Sequence, residues 1–194
     1  KNRELVPSTY LIRENGPAVM TGHISFPQIE TSAAPASLSK YFLTDLLRGQ
    51  LGYKGLIITD DMMMVGATVY AGSLSEAFKM ALEAGNDIIL SSTTARLNES
   101  LWTKNLELMT TDPDFRERVK DAAYHVLKAK LDYFKSENAA PLYPDSKKVD
   151  QDIPSREGEK FFLEQACRSV TVQKKGTMPL TKDNAGRVLL LGSL

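Results

Sequence analysis

Residues 52–67 read GYKGLIITDDMMMVGA. The apolar run Leu56–Ile58 follows Gly55 and ends shortly before the paired carboxylates Asp60 and Asp61. A short apolar run between a glycine and a polar pair is typical of a strand buried on both faces, as in a parallel sheet. The stretch therefore predicts a buried strand with two carboxylates at its carboxyl end.

Two further apolar runs, residues 18–20 upstream and residues 87–90 downstream, have the same character. Between the three runs, residues 39–50 and 73–85 carry apolar side chains at helical spacing. Two more helical patterns follow, over residues 97–109 and from Asp112 onward. This alternation of strands and helices predicts an α/β fold whose parallel sheet is either open or closed into a barrel.

Local signals mark the ends of two of these helices. Ser73 and Glu76 have capping-box spacing, in which the serine side chain accepts the Glu76 N–H and the glutamate side chain reaches back. Gly85 stands where that helix is expected to end in a residue with positive φ. Asp112 is predicted to cap the last helix. Its apolar face comprises Phe115, Val119, Ala122, Val126 and Leu127.

Composition excludes several classes of function. The 194 residues hold 24 Lys and Arg against 24 Asp and Glu, so no excess positive charge favours nucleic acid or an anionic membrane surface. No apolar run approaches the roughly 20 residues that cross a bilayer. The single cysteine, Cys167, cannot form an internal disulfide and is predicted to be a small core residue of a helix. We therefore expect neither a nucleic-acid partner nor a membrane span.

The character of the chain changes after residue 135. Residues 136–158 mix Pro141, Pro144 and Pro154 with polar side chains and show no periodicity, which predicts a linker. Beyond it, residues 161–167 have a helical pattern and residues 187–192 resemble a buried strand. We predict a domain over residues 1–135, a linker over 136–158 and the start of a second, truncated domain over 159–194.

Several of these segments resemble glycoside hydrolase family 3, especially its bacterial β-N-acetylglucosaminidase branch. Residues 18–24, AVMTGHI, are similar to the V-M-T-A-H-I strand of the family. Residues 35–67 follow its P-A-T-L-S, L-L-R, L-G-F-x-G and S-D-D-L-x-M-x-G-A sequence, and residues 84–87 continue it as A-G-x-D. The resemblance implies the C-terminal part of a (β/α)8 TIM barrel, followed by the beginning of an α/β sandwich domain.

The same resemblance assigns roles to residues at the barrel rim. Asp60 matches the family's nucleophile, and Met64 matches a methionine expected to line the sugar pocket. His23 is expected either to hydrogen-bond within the rim or to help position the sugar or Asp60. Asp61 is expected either to be structural or to support the residues that contact the sugar without contacting it itself. Neither a metal nor an organic cofactor is implied.

The catalytic acid/base of this branch follows a K-H-F-P-G-H-G run, which residues 1–194 do not contain. We therefore expect the isolated chain to be inactive, and to need the upstream part of the barrel as its partner. Three strands cannot close a barrel, so the chain alone should expose sheet edges and either aggregate or associate with that part.

The function implied is a retaining hydrolysis that removes terminal β-linked N-acetylglucosamine from peptidoglycan fragments or related glycans through a covalent glycosyl-enzyme intermediate. A β-glucosidase or a glycoside phosphorylase of the same family remains an alternative. The S-D-D-x-x-M form favours the first, because family β-glucosidases more often place Trp after the nucleophile. An alternative of another class is a catalytically silent carbohydrate-binding or scaffold protein. A generic phosphate-binding barrel is disfavoured, since residues 91–94, SSTT, form no Gly-rich loop.

Four conspicuous side chains have plainer interpretations. Met62 and Met63 are predicted to fill gaps in the core. His125 is predicted to be a surface or packing residue of the long helix. Trp102 lies in a helical stretch away from the strand ends and is predicted to be structural.

Overall fold

The computed structural model describes residues 4–93, 99–153, 155–171, 180–184 and 186. These residues form two compact units, divided between Ala139 and Ala140. The division falls within residues 136–158, and the domain bounds themselves stay a prediction. The first unit carries the sheet and the candidate site.

The sheet is parallel, as the sequence predicts. Strand β1 (Ala18–Met20) pairs with strand β2 (Leu56–Ile58), with Val19 opposite Ile57. Residues 87–90 lie on the other side of β2, but their pairing is a single parallel bridge between Ile58 and Ile88. The third predicted strand is therefore shorter than expected. The Leu90 N–H donates to the Thr59 side chain at 2.9 Å instead of to a backbone carbonyl of β2, which ends the ladder.

Helices surround one face of this sheet in the first unit. They are α1 (Val6–Arg13), a 3-10 turn (Ala36–Leu38), a π-helix (Tyr41–Gln50), α2 (Val65–Ala71), α3 (Leu74–Ala84), α4 (Ser100–Thr111) and α5 (Pro113–Phe134). Within the π-helix, a wide final turn returns the Leu51 N–H to the Leu46 carbonyl at 2.8 Å. The helix predicted from residue 97 begins at Ser100, while residues 94–98 lie outside the described residues.

Most of the predicted helix ends are confirmed. The Ser73 side chain accepts the Glu76 N–H at 3.2 Å, and Gly85 ends α3 with φ +123°. The Asp112 carboxylate accepts the N–H groups of residues 114 and 115 at 3.0 Å. The prediction that the Glu76 side chain reaches back to the start of the helix was wrong. The Glu76 carboxylate instead pairs with Lys79 at 3.2 Å, one turn along the same helix.

The core lies between the sheet and the helices in two clusters. One comprises Leu43, Leu47, Tyr53, Ile57 and Ala84, and the other Leu38, Met62, Ala67, Ala77 and Ala81. Within β2, Ile57 is fully buried against the helices, whereas its neighbours on either side are only half-buried. Burial of the strands on both faces was therefore not observed. The other face of a barrel strand is covered by side chains from the remaining strands across the barrel interior.

Of three further predictions about burial, one is confirmed, one is wrong and one is correct in part. Met62 is fully buried, as predicted, but Met63 is 40% exposed because it lies in the turn that follows Asp61. Phe115 and Ala122 of α5 are buried, while Leu127 is 59% exposed and lies outside the packed face of the helix. The predicted apolar stripe of α5 is therefore correct only in its first half.

The second unit, taken by itself, contains helices α6 (Ser146–Asp152) and α7 (Arg156–Ser169). The predicted helix over residues 161–167 is part of α7, and α6 lies inside the stretch predicted to be a linker. Cys167 is exposed, so its assignment to a core was wrong; none of the side chains of α7 is buried. The predicted strand over residues 187–192 lies outside the described residues.

Candidate active site

Asp60 lies at the carboxyl end of β2 and on the face opposite the helices. Its backbone N–H donates to the Thr21 carbonyl at 2.9 Å, so the strand pairing continues to this residue. Successive side chains of an extended strand point to alternate faces. Because Ile57 and Thr59 are buried toward the helices, Ile58 and Asp60 face the other side. In a closed barrel that side is the interior, and the end of the strand is its mouth.

Asp61 fastens the turn after β2 to the segment after residues 87–90. Its Oδ1 accepts the backbone N–H groups of Met63 and Ser92, both at 3.0 Å. The Ser92 hydroxyl, with those two N–H groups, holds the pKa of the Asp61 carboxyl below its usual range. These hydrogen bonds favour the ionised form of Asp61 and hold the two segments together.

Both ring nitrogens of His23 contact the protein. Nε2 lies 3.1 Å from the Asp61 carbonyl oxygen, which can only accept, so Nε2 carries a proton and donates. In the neutral ring Nδ1 then accepts from the hydroxyl of Ser37, 2.6 Å away. His23 thus joins the loop after β1 to the turn after β2. Hydrogen bonding within the rim is one of the two roles predicted for His23. Its other predicted role, positioning the sugar or Asp60, stays a prediction.

Met64 stands at the start of α2, four residues after Asp60, and is 48% exposed. Its backbone N–H donates to the Asp61 carbonyl at 3.0 Å, which sets the position of this turn beside the candidate nucleophile. An exposed, unbranched thioether here is suited to contact an apolar face of a ligand. Its predicted place in the sugar pocket stays a prediction.

A buried amide supports the rim from below and was missed in the sequence. Asn86 is fully buried, and its Nδ2 donates to the carbonyls of Ser37 and Ala81 at 2.8 and 2.7 Å. Its Oδ1 accepts the Thr21 hydroxyl at 3.2 Å. Asn86 therefore joins Thr21, directly after β1, and the 3-10 turn that contains Ser37 to α3. In the sequence, Asn86 is marked only as the variable residue x of the A-G-x-D run, which does not indicate a buried amide.

A second buried network lies at the opposite, amino-terminal edge of the sheet. The Asp87 side chain is 0% exposed and accepts from Arg48 at 2.6 Å, Arg118 at 3.1 Å and His125 at 2.9 Å. It also accepts the Ile57 N–H at 3.0 Å. His125 was predicted to be a surface or packing residue; it is half-buried on α5, and its contact with this carboxylate was not predicted.

Neither of two grooves found on the first unit includes Asp60. Their volumes are about 380 and 420 Å³, and both lie between α3 and α4. The mouth of a barrel is enclosed by loops from all of its strands, so the described rim forms only one side of such a pocket. In the described part of the chain, no three His, Cys, Asp or Glu side chains cluster as metal ligands do, and no helix is long and apolar enough to cross a membrane.

Comparison with known proteins points to a single family. The sequence profile of the Glycosyl hydrolase family 3 N terminal domain matches residues 1–129. A β-hexosaminidase of Neisseria gonorrhoeae is 41% identical over 87 residues, which make up 45% of this chain and 23% of that protein. The chain thus spans about a quarter of the length of the curated relatives that it matches.

Solved structures give the same indication. A glycoside hydrolase family 3 β-N-acetylglucosaminidase from Paenibacillus sp. is 28% identical with a TM-score of 0.68, covering 93% of this chain and 34% of that one. A β-glucoside phosphorylase is 26% identical with a TM-score of 0.66, covering 91% and 33%. These likenesses confirm the predicted fold, a segment of a TIM barrel.

Proposed function

Because the chain belongs to glycosyl hydrolase family 3, we propose that it carries the nucleophile of a retaining β-N-acetylglucosaminidase, and that this nucleophile is Asp60. The observation that carries the proposal is the place of Asp60, immediately past β2 and on the face turned away from the helices. Active sites of (β/α)8 enzymes lie at the carboxyl ends of the strands. The resemblance to β-hexosaminidases supports the choice of sugar.

The proposed reaction has two steps. In the first, an oxygen of the Asp60 carboxylate attacks the anomeric carbon while the bond from that carbon to the glycosidic oxygen breaks, and the departing oxygen takes a proton from an acid. In the second, water attacks the same carbon, gives its proton to the conjugate base of that acid, and releases Asp60. The acid/base residue is proposed to come from the upstream part of the barrel, which this chain would need as its partner.

Asp60 is suited to the first step by its hydrogen bonding. One oxygen, Oδ1, accepts the Asp61 N–H at 2.7 Å. Among the described residues Oδ2 has no hydrogen-bond partner, and Asp60 forms no ion pair. A carboxyl group with one oxygen held and the other open is the arrangement that a nucleophile requires.

Other side chains of the rim are assigned supporting roles. We assign Met64 to the wall of the sugar pocket, where its exposed thioether would contact the substrate. His23 acts through the Asp61 carbonyl and so through the turn that bears Asp60. The substrate is a carbohydrate whose terminal residue is β-linked N-acetylglucosamine.

Replacement of Asp60 in the full-length protein tests this function. Asp60→Asn keeps the shape of the side chain and removes its charge, so turnover of an aryl β-N-acetylglucosaminide should fall at least about a thousandfold. A fluorosugar with a 2-acetamido group should label the wild type at Asp60, as found by peptide mapping. Turnover close to wild type in the variant, or a label on another residue, would remove Asp60 from the mechanism.

A second candidate is phosphorolysis, favoured by the structural likeness to a β-glucoside phosphorylase. The glycosyl-enzyme would then be attacked by an oxygen of inorganic phosphate, which releases a sugar 1-phosphate and frees the same carboxylate. Product analysis with and without phosphate separates the two. Free N-acetylglucosamine as the product at saturating phosphate identifies the hydrolase, whereas the sugar 1-phosphate identifies the phosphorylase.

A further inference from the structure

The adjacent carboxylates Asp60 and Asp61 differ sharply in what they contact. Among the described residues, Asp60 accepts one hydrogen bond, from the N–H of its own neighbour. Asp61 accepts N–H groups from two separate segments, through Met63 and Ser92. The side chain of Asp61 is therefore occupied by the protein, whereas that of Asp60 keeps an oxygen for a ligand.

The backbone of Asp61 is held as firmly as its side chain. Its carbonyl accepts from His23 Nε2 at 3.1 Å and from the Met64 N–H at 3.0 Å. The ring of His23 is itself bound to Ser37, which is fully buried. Contacts from the loop after β1 and from the segment after residues 87–90 thus meet on this one residue.

This fixation reaches Asp60 through one hydrogen bond. The N–H of Asp61 donates to Asp60 Oδ1 at 2.7 Å, and the direction of that N–H follows the orientation of residue 61. If the side chain of Asp61 loses its contacts, the turn can rotate and the donor no longer faces Oδ1. A carboxylate released in this way populates rotamers that do not point at the anomeric carbon, and small errors in such geometry slow reactions strongly.

We propose that Asp61 is a positioning residue for Asp60: its carboxylate binds the Met63 and Ser92 N–H groups and thereby aims the nucleophile, without contacting the sugar. The proposal rests on the function proposed above, in which Asp60 is the nucleophile. It predicts that residue 61 needs an acceptor oxygen and not a negative charge. Asparagine should therefore replace Asp61, although it cannot replace Asp60.

Variants of the full-length protein test this difference. Asp61→Ala should lower kcat for an aryl β-N-acetylglucosaminide about 10- to 100-fold, with KM changed less than about threefold. Asp61→Asn keeps an amide oxygen for the same two N–H groups and should stay within about threefold of wild type.

Asp112→Ala is a matched control. Asp112 also accepts two backbone N–H groups at 3.0 Å, but at the start of α5. Its loss should lower the melting temperature through loss of the cap and leave kcat unchanged below that temperature. A fluorosugar should still label Asp60 in Asp61→Ala, at a rate reduced by the same factor as kcat.

The outcomes separate the two proposals. If Asp61→Ala keeps the kcat of wild type while Asp60→Asn is inactive, Asp61 is structural only, and the positioning role is overturned while the function stands. If Asp61→Asn is as inactive as Asp60→Asn, the charge of Asp61 takes part in the reaction, which also overturns it. Activity in Asp60→Asn overturns the proposed nucleophile and the positioning role together.

Discussion

Asp60 and Asp87 lie at opposite edges of the same parallel sheet, and their surroundings differ in every respect that decides the role of a carboxylate. Asp60 is half-buried and accepts one hydrogen bond from the described residues. Asp87 is buried and accepts from Arg48, Arg118, His125 and a backbone N–H. A carboxylate whose oxygens are not all hydrogen-bonded, such as Asp60, can react with a ligand. A carboxylate whose oxygens are all hydrogen-bonded, such as Asp87, is suited to holding helices and strands together.

The comparison indicates that the two ends of the strands have different roles, with the reactive carboxylate at one end and the stabilising network at the other. At the carboxyl edge, hydrogen bonds join loops and leave a reactive oxygen open. At the amino edge, Arg48 also donates to the carbonyls of Tyr53 and Gly55, at 3.1 and 2.6 Å, so the network around Asp87 fastens β2 to the π-helix and to α5. In barrels, the amino edge serves stability and the carboxyl edge serves catalysis.

The largest expected effect comes from making the same substitution at both edges. Asp87→Asn leaves Arg48 and Arg118 without a buried counter-charge and should lower the free energy of unfolding of the full-length protein by about 3–5 kcal/mol. Asp60→Asn removes no ion pair and should change it by less than about 0.5 kcal/mol. Urea denaturation followed by far-UV circular dichroism measures both.

The two variants should also differ in activity. Asp87→Asn, assayed where it is folded, should keep most of the turnover that Asp60→Asn loses. Equal loss of stability in the two variants would show that the edges are not specialised. A loss of turnover in folded Asp87→Asn would show that its network reaches the site.

A smaller effect is expected at Gly55, which immediately precedes β2 at the amino edge of the sheet. A Cβ atom here would overlap the Tyr53 hydroxyl and lie 2.7 Å from the Gly16 carbonyl oxygen. Gly55→Ala should therefore force the strands apart and lower the free energy of unfolding by about 1–3 kcal/mol. Thermal and urea denaturation of the full-length protein measure this loss.

Gly49→Ala is the matched control for that change. The nearest atom to its added Cβ is the Thr44 carbonyl oxygen at 3.4 Å, an ordinary contact, and the residue lies in a helix. It should leave stability unchanged or raise it by up to about 1 kcal/mol. Tolerance of alanine at position 55 would mean that this edge packs more loosely than the structure shows.

These contrasts explain which features could be predicted from the sequence. Ser73 and Gly85 act within a single helix, so the cap and the positive φ are readable from local residue order. The place of Asp60 follows from a short apolar run and a family resemblance. Asn86 bonds to residues 65 and 49 positions away, and Asp87 to residues 39, 31 and 38 positions away. The spacing of residues within one helix or strand does not indicate partners so far away in the sequence. The buried networks and the contact of His125 were missed for this reason.

The smallest expected effect concerns Tyr53, whose hydroxyl donates toward the carbonyl oxygens of Gly16 and Leu56 at 3.1 and 3.2 Å. Burial, with the nearby Asp87 carboxylate adding to it and Arg48 opposing it, raises the pKa of Tyr53 above its ordinary value of 10.0. Near neutral pH, Tyr53→Phe should cost about 1 kcal/mol, the usual net value of a hydrogen bond.

The raised pKa predicts how the cost of that substitution depends on pH. The unfolded chain ionises Tyr53 near its ordinary value, while the folded chain resists ionisation until higher pH. The stabilising contribution of the neutral phenol is therefore complete below about pH 10 and is lost as pH rises through the folded-state pKa. Tyr53→Phe should lose stability less steeply than wild type in alkaline urea denaturation. Parallel curves for Tyr53→Phe and wild type above pH 10 would mean that the phenol ionises as readily in the folded protein as in the unfolded chain, and that the amino edge is open to solvent.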